Sequence, residues 1–365
     1  MENKTNIRFA ALDPYEERNI ISPCEKSRSG VGFVEWGDGN KYPEFLNELY
    51  TSVPTLRSII NGNVDFICGD GATLTTTTAL NRTGETIEEQ LRAVALDYEI
   101  FGGFALQIIR DKAGRVAEVY HIDMRFLRAN KECDVFFYCE DWKKGGRKDA
   151  IVYPAYMPNL EWNSIGEEGR KTHAASILYI KNVRSQTYPA PVYAASVKAC
   201  EIERNIDDYH LNSINNGFAG SAIVNFCNGV PEDSIKEEIE RNFTEKFSGG
   251  QNAGRVMFSW NDGPDSRTTI DTPEVTDFGE KYEALSEHSR QQIFTAFRAA
   301  PALFGIIDKT GFNEVEYESA FRLYNRTQIR PVQRLICDAY DKIYGVKNCL
   351  TIAPFSLEGG AGNVN

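Results

Sequence analysis

The stretch from Pro189 to Gly217, PAPVYAASVKACEIERNIDDYHLNSINNG, decides how the rest of the chain is read. Pro189 and Pro191 introduce a helix and Gly217 stops it. Apolar and small residues fall at Val192, Ala195, Ala199, Ile202, Ile206, Tyr209 and Ser213, spaced alternately three and four. That is a 3.5-residue repeat kept for three heptads, the pattern of a helix packed along another helix. Ala195, Ala199 and Ser213 are small enough to permit close approach. At 1.5 Å per residue the predicted helix, 191–216, is about 37 Å long.

Downstream lies an insert, 217–277, read as a strand from Ser221 to Phe226, a helix from Glu232 to Phe247 after Pro231, and a strand from Arg255 to Trp260. The glycine-rich run Ser248 to Gly254 is a loop within it. A second long helix, 278–299, carries Phe278, Tyr282, Leu285, Ile293 and Phe297 on one face. The loop 300–312 follows. A last helix is expected from Asn313 to Tyr344, bent at Pro331.

Upstream, residues 1 to about 40 are rich in glycine and read as irregular. Helical spacing starts at Pro43 and restarts after Pro54, and Thr86 with Glu89 forms a capping box for a third helix. From Phe104 the period changes to two. Phe104 to Arg110 and Val116 to Ile122 read as a hairpin, with further strands at Val135 to Cys139, Ile151 to Met157 and Ile177 to Ile180. Residues 1–190 are therefore expected to form one α+β unit.

Composition sets the limits. The chain has 365 residues, 42% hydrophobic and 25% charged, which is the balance of a globular protein. With 40 Lys and Arg against 52 Asp and Glu, its formal net charge is -12. That excludes a protein gripping nucleic acid over its whole surface. It does not exclude one that must let nucleic acid pass. The N-terminus has no apolar h-region, so no signal peptide is expected, and no run approaches a membrane span. The eight cysteines include no C-x-x-C pair and are read as reduced core residues.

No catalytic motif is spelled out: no phosphate-binding P-loop, no nucleophile elbow, no H-E-x-x-H. The nearest metal-like spelling is His121-Ile122-Asp123, and a site needs three or four ligands. A soluble hydrolase or metal-dependent enzyme using His121 and Asp123 is the alternative reading. Asp207-Asp208 reads as a solvated helix face, because adjacent helical residues point about 100° apart. The basic run from Lys143 to Lys148 reads as a polar hairpin turn around Gly145-Gly146. No metal or cofactor is expected.

Four segments, taken in order and spacing, resemble the portal proteins of tailed bacteriophages, of the Bacteroidetes prophage type. The first runs from Tyr42-Pro43 through Leu49-Tyr50, Pro54 and Ile59-Ile60-Asn61 to Gly69-Asp70-Gly71. The second is Tyr188-Pro189-Ala190-Pro191-Val192-Tyr193, leading into His210-Leu211-Asn212. The third is Ile223-Val224-Asn225-Phe226 with Gly229-Val230-Pro231. The fourth is Pro301-Ala302-Leu303-Phe304-Gly305-Ile306, then Asn313 and Ile329-Arg330-Pro331-Val332-Gln333.

The resemblance implies a portal-like α+β subunit: a wing at 1–190, a stem helix at 191–216, a clip at 217–277 and a second stem helix at 278–299. A tunnel loop at 300–312, a kinked wing helix with a C-terminal segment at 313–357 and a flexible tail at 358–365 complete it. A helical crown is expected to be absent, minimal or trimmed away. It implies a non-enzymatic, homo-oligomeric ring, expected to be dodecameric, at the capsid vertex of the virion and in the host cytoplasm during assembly. Double-stranded DNA is then translocated cargo, read without sequence specificity. The other expected partners are the major capsid protein, the large terminase subunit and a head-tail connector protein, with no membrane.

Residue by residue, the resemblance places Arg298, Pro301, Leu303, Phe304, Lys309 and Thr310 at the tunnel loop. Stem packing falls to Val192, Ala195, Ala199, Ile202, Ile206 and Tyr209 on one helix and to Tyr282, Leu285, Ile293 and Phe297 on the other. Docking at the clip falls to Glu232, Glu237, Glu240, Lys246 and Arg255. Ten acidic residues stand against five basic ones between Glu232 and Glu274, a balance suited to a channel wall that must not hold phosphates.

Overall fold

The computed structural model describes residues 7–10, 23–27, 32–76, 79–142, 148–182, 186–215, 222–227, 229–247, 256–261, 278–306 and 314–356. Its α-helices are α1 (Tyr42–Ser52), α2 (Pro54–Cys68), α3 (Ile87–Phe101), α4 (Gly166–His173), α5 (Val197–Asn215), α6 (Asp233–Phe247), α7 (Phe278–Phe297), α8 (Glu314–Tyr324) and α9 (Arg330–Tyr344). The chain divides into a body, residues 20–201 and 289–365, and an insert unit, residues 1–19 and 202–288. The fold is α+β.

In the body, the strand Gly103–Arg110 lies between Val116–Ile122 and Ala175–Lys181, all antiparallel. A second antiparallel sheet joins Leu127–Ala129, Val135–Tyr138 and Ile151–Pro154. The expected hairpin is there, with its turn closed by the Asp111 carboxylate accepting from the Ala113 and Arg115 amides. Helix α3 opens on the expected capping box: the Thr86 hydroxyl accepts from the Glu89 amide at 3.3 Å, and Glu89 accepts from the Thr86 amide at 2.8 Å. Its last turn ends at Gly102, which adopts φ +83; a Cβ there would meet the Ala190 carbonyl oxygen at 2.2 Å. Only glycine allows α3 and the 188–191 segment so close.

Distant parts of the sequence meet in this core. Leu350–Ile352 pairs with Ala72–Leu74. The Tyr340 hydroxyl donates to Gln90 Oε1 at 2.6 Å, and Tyr156 donates to the Ile343 carbonyl at 2.8 Å. Leu46, Leu49, Ile59, Val94, Phe104, Leu106, Val119, Ile293 and Ile336 are all fully enclosed. Burial on this scale is the dominant favourable term in folding.

In the insert unit, Ala222–Phe226 runs parallel to Val256–Trp260, with α6 as the crossover. The third strand, Ile7–Ala10, is antiparallel to Val256–Ser259. This corrects the assignment of the whole of 1–190 to one unit: the first strand belongs with the insert sheet, where it covers an edge of Val256–Trp260 that would otherwise be unpaired.

Two helix boundaries also differ from expectation. The helix expected from Pro191 begins at Val197, after a 3-10 turn at Ala194–Ser196, so Val192 and Ala195 precede it and both are exposed. The irregularity in the last helix precedes Pro331: a π-helical turn spans Asn325–Ile329, the Arg330 amide donates to the Asn325 carbonyl, and Pro331, which has no N–H to give, follows as the second residue of α9.

Candidate functional site

The segment expected as a tunnel loop begins at the end of α7. The Arg298 amide donates to the Thr295 carbonyl and the Ala299 amide to the Phe294 carbonyl, both at 3.0 Å. This is a Schellman ending with its left-handed residue at Arg298, φ +53. Glycine usually fills that position, because a Cβ makes the left-handed region costly. After the extended Ala300, Pro301–Phe304 forms a 3-10 turn closed by Gly305. Pro301 is exposed and Leu303 buried. Phe304 stands edge-on to Phe66 at 6.0 Å and Tyr324 at 5.9 Å, and tilted against Phe294 at 6.1 Å. Its ring lies over Gly62 of α2, where a Cβ would come within 2.7 Å. Beside the turn is a cavity of about 320 Å3, lined in part by Arg298, Leu303, Leu323, Thr327 and Gln328. Lys309 and Thr310 lie outside the described residues.

The expected stem positions separate into two sets. Ala199, Ile206, Ile293 and Phe297 are buried, and Phe297 stacks on Tyr193 at 5.5 Å. Ile202, Tyr209 and Leu285 are exposed, as is Val192. Tyr209 stacks on Tyr282 at 4.9 Å, with His210 edge-on to Tyr282. A single buried heptad stripe is therefore not what this chain forms by itself: Val192, Ala195, Ile202 and Tyr209 are exposed while Ala199 and Ile206 are buried, and other buried positions of α5 include Cys200 and Glu203.

On α6, Glu237 is exposed, as is Glu232 just before it. The side chains of Glu240 and Lys246, and Arg255 entirely, lie outside the described residues. Lys236 is enclosed between Asp233, 3.0 Å from its ammonium, and the Trp260 ring at 5.8 Å. This buried lysine braces the helix against the sheet.

His121 and Asp123 have separate employments. His121 Nε2 is 2.8 Å from the buried carboxylate of Asp97, which also accepts from the Met124 amide. Burial disfavours the charged imidazole, but the Asp97 carboxylate outweighs it and raises the His121 pKa above its ordinary value. Asp123 caps the turn Met124–Phe126 and binds the Arg125 guanidinium at 2.6 Å. Among the described residues, no three His, Cys, Asp or Glu side chains are grouped to hold a metal.

The family model for phage portal proteins matches residues 83–352. The chain belongs to the phage portal protein family. Portal function at the capsid vertex follows from that membership, and the family is structural. The fold is similar to a chain in the virion of a native gene transfer agent particle, with a TM-score of 0.54, 13% identity, and coverage of 86% of this chain and 83% of that one. It is also similar to chains in the neck of that particle computed with C12 symmetry (TM-score 0.54, 15% identity, 87% and 85% covered). The neck of the empty particle computed with C6 symmetry gives 0.52, 15%, 87% and 84%. No curated protein sequence matches the chain.

In this portal protein, the residues missed by sequence reasoning lie beneath the expected loop. Asn63 Nδ2 donates to Glu99 Oε2 at 2.7 Å, and Asn63 Oδ1 accepts from the Tyr324 hydroxyl at 2.8 Å. The three side chains are buried and tie α2, α3 and the end of α8 together. Burial pushes the Glu99 pKa up to about 7, against the opposing pull of the Asn63 donor. Only a polar residue on an otherwise apolar face, at Asn63 and at Glu99, could have signalled this from sequence.

Proposed function

We propose that copies of this chain assemble as a ring in the virion, through which double-stranded DNA passes during packaging and ejection. The observation that carries the reading is the family match across 83–352, which takes in the loop base, both long helices and the insert. In this reading residues 20–190 belong to the wing, α5 and α7 are the stem, the insert is the clip, 300–312 is the tunnel loop, and α8 and α9 return to the wing. The symmetric neck assemblies formed by chains of similar fold support a ring of twelve.

The chain acts without a catalytic site of its own. Exposed Ile202, Tyr209 and Leu285 are then sites for a neighbouring subunit, since isolated apolar side chains at heptad spacing gain by covering one another. The acidic clip surface repels passing phosphates and docks the large terminase subunit on one side of assembly and a connector on the other. Arg298 and Lys309 supply positive contacts at the tunnel, and the major capsid protein surrounds the wing.

A DNA packaging assay that reads nuclease-protected genome tests the reading. Procapsids assembled with the chain are expected to fill, and those assembled without it to stay empty. Equal filling in both would overturn the proposal.

A further inference from the structure

Four arginines on the returning helix stand four residues apart: Arg322, Arg326, Arg330 and Arg334, all exposed. In a regular α-helix that spacing drifts by about 40° per step, so the row would turn by about 120° around the helix. Here the π turn at Asn325–Ile329 intervenes. The buried positions record the extra residue: Phe321, Tyr324, Ile329, Val332 and Ile336 step by three, five, three and four. One residue taken up without advancing the face removes about 100° of that drift. The four arginines therefore fall within about 20° of one line, roughly 17 Å long.

The row is largely unneutralised. Arg322 pairs with Glu318 at 2.9 Å, while Arg326, Arg330 and Arg334 enter no salt bridge among the described residues. Asp338, exposed one turn further, ends the row. Arg298 borders the same face across the cavity shared with Leu323, Thr327 and Gln328, and holds the left-handed backbone that glycine would adopt at less cost. Such a line of guanidinium groups, in a chain of net charge -12, matches a polyanion with regularly spaced oxyanions. It does not match a second protein surface as well. Arginine is common at protein interfaces, but there it borders an apolar centre, and between these arginines the exposed face offers little apolar area beyond Leu323 and Pro331.

We infer that Arg322, Arg326, Arg330 and Arg334 form a contact site for the phosphate backbone of double-stranded DNA. The inference takes from the portal reading only the identity of the polyanion. The contact is sequence-independent and salt-sensitive, because each neutralised phosphate releases condensed counterions.

The test uses the full chain and a fluorescein-labelled 30-base-pair duplex, with affinity measured by anisotropy over a salt series. The variant Arg326→Gln/Arg330→Gln/Arg334→Gln is expected to lower the slope of log affinity against log salt by about 3, and Arg330→Gln alone by about 1. The lysine triple variant at the same positions is expected to keep the slope. So is the charge-matched control Lys112→Gln/Lys131→Gln/Lys171→Gln, which changes exposed lysines elsewhere on the body. An unchanged slope in the glutamine variants overturns the site. So does loss of rings, by native mass spectrometry, in the triple variant alone, because the row would then belong to a subunit interface. A wild-type chain that never forms rings counts against the portal reading, and the slope change still decides the arginine row.

Discussion

The body closes its core with side chains drawn from opposite ends of the sequence, whereas the insert closes a small sheet around one helix. In the body, Tyr324 reaches Asn63 and Tyr340 reaches Gln90, joining residues more than two hundred positions apart. In the insert, α6 and its two parallel strands are neighbours in sequence, and the N-terminal strand Ile7–Ala10 is the exception. Both leave some apolar side chains in solvent: Ile151, Val152, Met157, Val192, Leu323 and Val346 on the body, and Ile202, Tyr209, Leu211, Ile235 and Leu285 on the described part of the insert. The body is tied across its core by buried polar pairs far apart in sequence; the insert is tied mainly by neighbours in sequence.

The comparison is most easily broken in the body at Phe304. Its replacement by alanine removes the ring packed on Phe66, Phe294 and Tyr324 and opens a void over Gly62. A loss of about 3 kcal/mol is expected in denaturant unfolding, at the low end for a phenylalanine because Phe304 is only partly buried. A loss below about 1 kcal/mol would mean that the loop base is not anchored in the core.

Glu99 is next. Its pKa is raised from an ordinary 4.5 to about 7, so the folded state holds a proton that the unfolded state has released. Its contribution is most favourable below about pH 4.5 and is lost as pH rises through 7. Glu99→Gln is expected to stabilise the protein by about 3 kcal/mol at pH 8 and hardly at all at pH 4. A thermal-melting series in pH that runs parallel for both proteins would contradict the assignment.

A smaller effect sharpens the contrast at α7. Arg298→Gly relieves the left-handed backbone and is expected to raise stability by roughly 1 kcal/mol, while reducing packaging. Stability gained with packaging unchanged would remove Arg298 from the channel. Within the insert, Lys236→Met is expected to change stability by less than about 1 kcal/mol, since exposed Asp233 stays solvated without its partner and the methionine still packs on Trp260. Amide exchange at Ala222–Phe226 and Val256–Trp260 reads it directly, and a large loss of protection there would show the lysine to be indispensable.

What was legible in the sequence is what local pattern determines. Alternation marked the 104–122 hairpin, Thr86 and Glu89 marked the start of α3, and Pro231 with two apolar runs marked the strand–helix–strand insert. What was not legible depends on partners far away. Ile7–Ala10 is too short to announce itself, and its partner lies about 250 positions on. The heptad from Val192 to Ser213 looked like one buried stripe because spacing records which residues share a face and not whether the same chain covers it. At Pro331 the proline suggested a bend, and the irregularity is a π turn just before it, where a helix that must continue past a missing N–H takes up an extra residue. Of the loop residues, Leu303 and Phe304 were assigned only through the resemblance to portal proteins; the Asn63–Glu99–Tyr324 network below them needed three dimensions.

Negative-stain images of the purified full-length chain test the central claim most directly. The account predicts rings with a central hole, their symmetry consistent with about twelve subunits, and loss of those rings when Tyr209 and Leu285 are both replaced by aspartate. Globular monomers or dimers without a hole, under every assembly condition tried, would contradict it.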